Sequence, residues 1–258
     1  MKMEQEELIS IVMLSRDNGQ NVVESVKSVQ AQTYPNWELL FVDDSSKDDT
    51  IHNIMMLFNK DKRLHVSQAV SSLGLGSNRL SALKSAKGKW VAFLDTGDLW
   101  EPNKLERQLS FMKDNDYRFS YTEYMKEIDD KGVKYIISGP DVLTNKKLKQ
   151  YCWPGYLTVM CDKSLLESIR VNMYSENNDY ALWLQMSRET NCYLLKECLA
   201  TNRANKSFIK SLPIGEKMNW RYEIYSKVMG MNSLTAIWMT CRNLFFSLVK
   251  RVKYMRSV

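Results

Sequence analysis

The sequence predicts an α/β fold with a mostly parallel central sheet, then a β-containing second part, then C-terminal helices. Short apolar runs at 8–14, 37–42, 63–67 and 89–94 alternate with helix-periodic segments through the first hundred residues. Apolar strands separated by helices of that length indicate βαβ units. Two of these runs stop abruptly in carboxylates, at Asp43-Asp44 and at Asp95 with Asp98. From 213 to 256 the pattern reads as helix with a break near Gly230.

Taken in order, Leu8–Leu14 is a strand, and 19–31 a helix with Val22, Val26 and Val29 on one face. Trp37–Val42 is a strand, and 48–59 a helix carrying Ile51, Ile54, Met55 and Phe58. Residues 63–67 form a short strand, 76–86 a helix, and 89–94 a strand buried on both sides. Pro102 opens the next helix in its first turn, running through Leu105, Leu109 and Met112. Residues 119–137 alternate around Asp129-Asp130-Lys131-Gly132, a hairpin signal. Tyr156–Asp162 reads as a strand and 177–189 as a helix with Leu182, Leu184 and Met186. No repeat or low-complexity tract interrupts the pattern.

The 258 residues suffice for a substantial core. The polar, acidic start lacks a signal-peptide core, and no apolar run reaches the roughly 18 residues of a membrane span, so a cytoplasmic protein is expected. The five cysteines form no C-x-x-C pair, and the two histidines lie far from them. Reduced, mostly buried thiols are expected, with no structural zinc. The net charge of +6 belongs to one element: after Glu223 there is no acidic residue and six basic ones, namely Lys227, Arg242, Lys250, Arg251, Lys253 and Arg256. The rest of the chain shows no spread of basic residues with interleaved aromatics, so nucleic-acid binding is not expected.

In open parallel sheets, ligands bind beyond the carboxyl ends of the strands, where Asp43, Asp44, Asp95 and Asp98 fall. Capping explains part of the first acidic cluster: Ser45 or Ser46 with Asp48 or Asp49 makes a capping box. It does not explain Asp43 and Asp44, which precede the cap and repel each other unless given donors or a cation. A uracil or ribose group would supply donors. The second strand end suits a hard cation, Mn²⁺ or Mg²⁺, which takes one or two carboxylates and fills its shell with diphosphate oxygens. An Asp-Gly turn serving the next helix is the simpler reading of the same residues. A dehalogenase-type phosphatase needs Asp-x-Asp, and position 97 is glycine. Gly74–Arg79 lacks the third glycine of a dinucleotide fingerprint; Arg79 could approach a phosphate or simply begin a helix. Asp179 is either an acid stabilising a helix start or a general base.

Together, "ISIVML", "SVQAQTYPNWELLFVDDSSKDDT", "AKGKWVAFLDTGDLWEPNKLERQ", "LTVMCDK" and "NDYALWLQMSRE…CLATNR" resemble, in order, the inverting family 2 glycosyltransferases of GT-A fold, over about residues 8–205. The nearest likeness is to short bacterial enzymes of O-antigen, capsule and teichuronic-type polysaccharide synthesis. The resemblance implies a GT-A Rossmann-like catalytic domain over 1–210, with a nucleotide-binding half to about 100 and an acceptor-side half beyond it. A basic helical tail follows at 211–258. It implies that Ser15 and Asp17 lie in the nucleotide-contacting loop and that Asp44, beside Asp43, reads uracil. It also implies that Arg79 belongs to the donor site, that Asp95 starts the metal motif with Asp98 near the ion, and that Asp179 is the base. The family's usual Leu-Asp-Ser-Asp-Asp is Leu-Asp-Thr-Gly-Asp here, Leu80 replaces an asparagine, and Asn178 stands where glutamate is usual.

The implied reaction moves a hexose or N-acetylhexosamine from a UDP-sugar to a lipid-linked (polyprenyl diphosphate) oligosaccharide. A non-catalytic nucleotide-sugar-binding partner of a synthase complex, suggested by Gly97, is the alternative. A nucleotidyltransferase would need a glycine-rich, lysine-bearing N-terminal loop that this chain lacks. In the tail, Leu234, Ile237, Trp238, Cys241, Phe245, Leu248 and Val252 recur at helical spacing with basic residues between. Part of that stripe is expected to pack on the domain. A basic amphipathic end is also suited to an anionic bilayer, giving peripheral association with the inner face of the cell membrane. Trp153, Tyr156 and Trp183 are read as core aromatics before sugar platforms.

Overall fold

The computed structural model describes residues 6–58, 60–69, 75–128, 133–167, 169, 178–203 and 213–258. The predicted βαβ series is present: β1 (Ile9–Ser15), α1 (Gly19–Gln30), β2 (Trp37–Asp43), α2 (Thr50–Phe58), β3 (Leu64–Gln68), α3 (Leu75–Ser85) and β4 (Trp90–Asp95). These strands lie in the order β3-β2-β1-β4, all parallel. Ile9, Ile11 and Met13 enter one core with Val22, Val26, Val29, Leu105 and Met112. Val12 and Leu14 enter another on the opposite face with Ala82, Leu83, Leu182 and Trp183. Helices on both faces bury every position of β1 and β2, which is why those runs read as continuous rather than alternating. Gly88 lets β4 approach β1: a Cβ there would lie 2.6 Å from the Leu8 carbonyl oxygen and the Ser10 nitrogen.

Beyond β4 come β5 (Leu99–Trp100), α4 (Lys104–Asp114), β6 (Phe119–Ile128), β7 (Val133–Ile137), β8 (Val142–Leu143), α5 (Asn145–Leu148), β9 (Met160–Asp162), α6 (Ser164–Glu167), α7 (Asn178–Met186) and β10 (Cys192–Arg203). The sheet continues from β4 through antiparallel β9, β6 and β7, while β10 runs parallel to β6 with two register shifts. β6 and β7 form the expected hairpin, whose turn at 129–132 lies outside the described residues, as does Gly74 of the weak glycine motif.

The structure corrects four expectations. Pro102 sits before the N-cap Asn103, outside the helix. The capping box after β2 does not form: Asp48 instead caps Thr50 through its backbone N–H at 3.1 Å, and Ser46 turns back to Asp43. Tyr156–Thr158 is a 3₁₀ turn, so only the end of the 156–162 run is strand. The C-terminal segment is α8 (Ile214–Glu223), a π-turn at Ile224–Val228, a break at Gly230 (φ 67°), α9 (Ser233–Lys253) and finally a strand, β11 (Met255–Ser257). β11 pairs with β7, so the tail is joined to the sheet edge. Among the thiols, Cys161 and Cys192 are buried, Cys152 and Cys198 half-buried, and Cys241 exposed; all are free.

Candidate active site at the carboxyl edge of the sheet

β1, β2 and β4 end side by side: Ser15 pairs with Asp43, and Leu14 with Asp95. The chain leaves β1 and β2 through strained residues, Asp17 (φ 49°) and Ser45 (φ 57°), conformations that non-glycine residues rarely adopt away from functional loops. Asp17 is tied to the neighbouring loop, accepting from the Lys47 N–H at 2.7 Å while its own N–H donates to Ser46 at 2.9 Å. Ser15 is buried, and its hydroxyl has no partner.

Asp43 and Asp44 are both fully buried but differently satisfied. Asp43 accepts from the Ser46 N–H (3.0 Å) and Gln68 (3.4 Å), which makes it a brace for the loop. Asp44 accepts from Asn78 at 2.6 Å and from Arg16, which is half exposed, at 3.4 Å. Asn78 and Arg79 are successive residues of α3, so Asp44 is linked through that helix to the second acidic strand end.

There Asp95, Asp98, Arg79 and Asp179 come together. The Arg79 guanidinium lies over the Tyr156 ring, 4.3 Å from its centroid, and its Nε has no hydrogen-bond partner. Burial opposes its charge, but the fields of Tyr156, Asp95 and Asp179 outweigh that and raise its pKa. Burial pushes Asp95 up to about 6; Arg79 pulls it down and Asp179 pushes it further up. Asp98 rises to about 8, from burial first and then from Asp95, although Asn202 donates to it at 2.8 Å. Asp179 lies in the first turn of α7.

Gly97, between the two aspartates, has φ 102°. Its N–H donates to Ser25 (2.9 Å) and its carbonyl accepts from Arg203 Nε (2.9 Å), so the turn is clamped from α1 and from β10. Arg203 also pairs with Glu24 and leaves Nη2 buried without a partner. Asp98, buried, and Asp95, half-buried, with no basic side chain bonded between them, are a hard-oxygen pair that fits a divalent cation completing its shell with phosphate and water. Among the described residues no three His, Cys, Asp or Glu side chains are placed to hold a metal ion by themselves, so such an ion would need ligand oxygens.

Sequence reasoning missed Arg16, Asn78, Asn202, Arg203 and Arg221. Asn202 and Arg203 stand in "CLATNR", where a strand end was not recognised because the register shifts of β10 break its alternation. Arg221, on α8, lies over the Tyr180 ring at 4.9 Å, one residue beyond Asp179. The available signal was an arginine with no acidic residue three or four positions away on its helix.

A parallel sheet edge that gathers a carboxylate pair, arginines and a further carboxylate from a following helix is an arrangement of the GT-A fold class. The model of "Glycosyl transferase family 2" matches residues 10–170, and the chain belongs to that family. It is 32% identical over 235 residues to the putative teichuronic acid biosynthesis glycosyltransferase TuaG of Bacillus subtilis (strain 168), covering 90% of this chain and 92% of TuaG. It is 36% identical over 184 residues to WfgD of Escherichia coli, a UDP-Glc:α-D-GlcNAc-diphosphoundecaprenol β-1,3-glucosyltransferase, covering 71% of each. In fold it is similar to residues 1–349 of S. aureus TarS in complex with UDP-GlcNAc (TM-score 0.67, 16% identity, 95% of this chain, 74% of that one). It also resembles the mannosyltransferase PcManGT of Pyrobaculum calidifontis with GDP-Man and Mn²⁺ (TM-score 0.64, 12% identity, 95% and 76%). This chain is a glycosyltransferase.

Proposed function

We propose that the protein moves a hexose or N-acetylhexosamine from a UDP-sugar to a lipid-linked oligosaccharide diphosphate, with inversion, in surface polysaccharide synthesis. The observation that carries this reading is the convergence of Asp95, Arg79 and Asp179 at one sheet edge. TuaG and WfgD, the relatives matched over most of their length, are named for polysaccharide synthesis and for a lipid-diphosphate acceptor. Asp44 with Asn78 receives the uracil, Ser15 and Asp17 border the nucleoside, and the free donors of Arg79 and Arg203 face the diphosphate. Asp43 acts by holding the loop that carries Asp44. Mn²⁺ or Mg²⁺ would be held by Asp95, with Asp98 directly or through water; when bound, it supplies charge neutralisation to the departing diphosphate. Asp179 takes the proton of the acceptor hydroxyl as that oxygen attacks the anomeric carbon, and the bond to the diphosphate breaks on the opposite face.

The tail supplies the second part of the proposal, peripheral attachment to an anionic membrane surface. No helix among the described residues is long and apolar enough to cross a membrane. α9 turns Ala236, Met239, Thr240 and Asn243 to the protein. The stripe expected to pack inward faces out: Leu234 is 82% exposed, Trp238 58%, Phe245 61% and Val252 87%. With no acid after Glu223, the charge complements an anionic lipid surface.

The deciding experiment incubates the purified chain with UDP-Glc, UDP-Gal, UDP-GlcNAc and UDP-GalNAc, a synthetic GlcNAc-diphosphate-alkyl acceptor, and Mn²⁺ or EDTA. Transfer with one donor, giving an inverted linkage, is expected. Absence of transfer and of donor hydrolysis with all four would overturn the reading.

A further inference from the structure

Arg221 is a half-buried cation that the proposed donor site does not use. Tyr180, whose ring it covers, is held rigidly: its hydroxyl donates to the Leu148 carbonyl at 2.6 Å and lies 3.0 Å from that of Tyr225. Tyr225 in turn donates to the Lys149 carbonyl and accepts from Asn243 of α9. The guanidinium is therefore positioned by an aromatic platform, with no carboxylate in ion-pair contact among the described residues. Its Nη1 is closed to solvent and has no hydrogen-bond partner. A charged donor buried in that state is costly unless a ligand completes it.

Its surroundings also differ from those of Arg79. The groups that act on Arg79 are Tyr156, Asp95 and Asp179; those acting on Arg221 are Cys152, Tyr180, Asp179 and Tyr151. Asp179 is common to both, so the candidate base feels two cationic centres, one beside Asp95 and one beside Tyr151 and Cys152. A base that accepts the proton of an attacking hydroxyl has the donor sugar on one side and the acceptor on the other. The donor reading assigns Arg79 to the first, which leaves Arg221 for the second. α8, which carries it, packs on α9, the helix with the outward apolar face. An acceptor whose lipid lies in the bilayer reaches the site from that end.

We propose that Arg221 forms an anion subsite on the acceptor side of Asp179, which takes the diphosphate joining the acceptor sugar to its lipid. A guanidinium matches phosphate oxygens in forked, charge-assisted hydrogen bonds, geometry that an ammonium reproduces only in part. The inference rests on the lipid-diphosphate acceptor assigned above.

The test compares wild type, Arg221→Ala and Arg221→Lys with two acceptors carrying the same sugar, one as an alkyl diphosphate and one as an uncharged alkyl glycoside. Hydrogen bonds to charged groups contribute ~1.5–3 kcal/mol, so Arg221→Ala should raise the KM for the diphosphate acceptor roughly 10- to 100-fold. The donor KM should stay within about twofold, the uncharged acceptor should be used equally poorly by wild type and variant, and Arg221→Lys should recover part of the loss. A raised donor KM would assign the residue to the donor instead. Equal losses with both acceptors would make it a structural support. Titrating the alkyl diphosphate into wild type and Arg221→Ala gives a readout independent of turnover: weaker binding by the variant is expected even if no donor in the panel is accepted, and equal binding overturns the subsite.

Discussion

Gly97 replaces a carboxylate of the family's usual motif, and the residue's backbone explains what restoring it would do. At φ 102° an L side chain is strained, and the N–H and carbonyl are both committed, to Ser25 and Arg203. Gly97→Asp should therefore destabilise the chain by about 1–3 kcal/mol and lower Tm by roughly 2–4 °C for each of those kcal/mol. Mn²⁺ affinity by calorimetry should not increase; an unchanged Tm with tighter metal binding would contradict the argument. Asp179→Asn keeps the shape of the side chain and removes its basicity. A general base contributes ~10²–10⁴-fold, so turnover should fall by that order while UDP binding holds, measured as kcat against nucleotide Kd. Asp43, Asp44, Asp95, Asp98 and Arg79 could be picked as candidates because each falls at a strand end or in a quoted motif. Arg16, Asn78 and Arg221 could not, because what makes them candidates is contact across elements, such as Asn78 on Asp44, which periodicity does not encode.

At the scale of elements, patterning located helices better than it oriented them. The apolar spacing of α9 was read correctly, but the expectation that part of its stripe packs inward fails. The contact face is a different stripe, Ala236, Met239, Phe246 and Val249 with two polar residues among them, Thr240 bonding the Ala236 carbonyl and Asn243 reaching the Gln150 carbonyl and Tyr225. Lys250 is also withdrawn from the surface: its ammonium donates to the Trp153 carbonyl at 2.7 Å, and burial lowers its pKa to about 8. The basic residues left for lipid are Arg242, Arg251 and Lys253. Replacing exposed Trp238 and Phe245 together by Ser should cut co-sedimentation with phosphatidylglycerol vesicles several-fold while leaving Tm within a few degrees, because neither side chain supports the core. Undiminished sedimentation would remove the helix from that role. β10 and β11 escaped the sequence for opposite reasons: one is irregular in register, and the other is three residues at the end of a long helix.

At the scale of the molecule, polar groups inside the core tie elements of the second half together, and one of them makes global stability depend on pH. Lys104 is fully buried; its ammonium donates to Gln108 at 2.7 Å and lies 4.4 Å from the Trp100 ring centroid. Gln108 in turn donates to Ser120 and to the Thr158 carbonyl, tying α4 to β6 and the 3₁₀ turn. Burial lowers the Lys104 pKa from its ordinary 10.5 to about 7. Between those values the unfolded chain binds a proton that the folded chain does not, so this group's contribution to stability rises with pH across the window and is least favourable below about 7. Each pH unit inside it is worth at most ~1.4 kcal/mol. Cys161 and Cys192 act in the opposite sense, since burial raises their pKa and the unfolded thiols ionise first. Wild type alone would therefore show a blend of slopes. The difference between wild type and Lys104→Met cancels the thiols, and in urea unfolding it should move in favour of wild type by up to ~2.5 kcal/mol between pH 7.5 and 9.5. A pH-independent difference would mean that Lys104 keeps its proton in the fold, compensated by the Gln108 carbonyl and the Trp100 face.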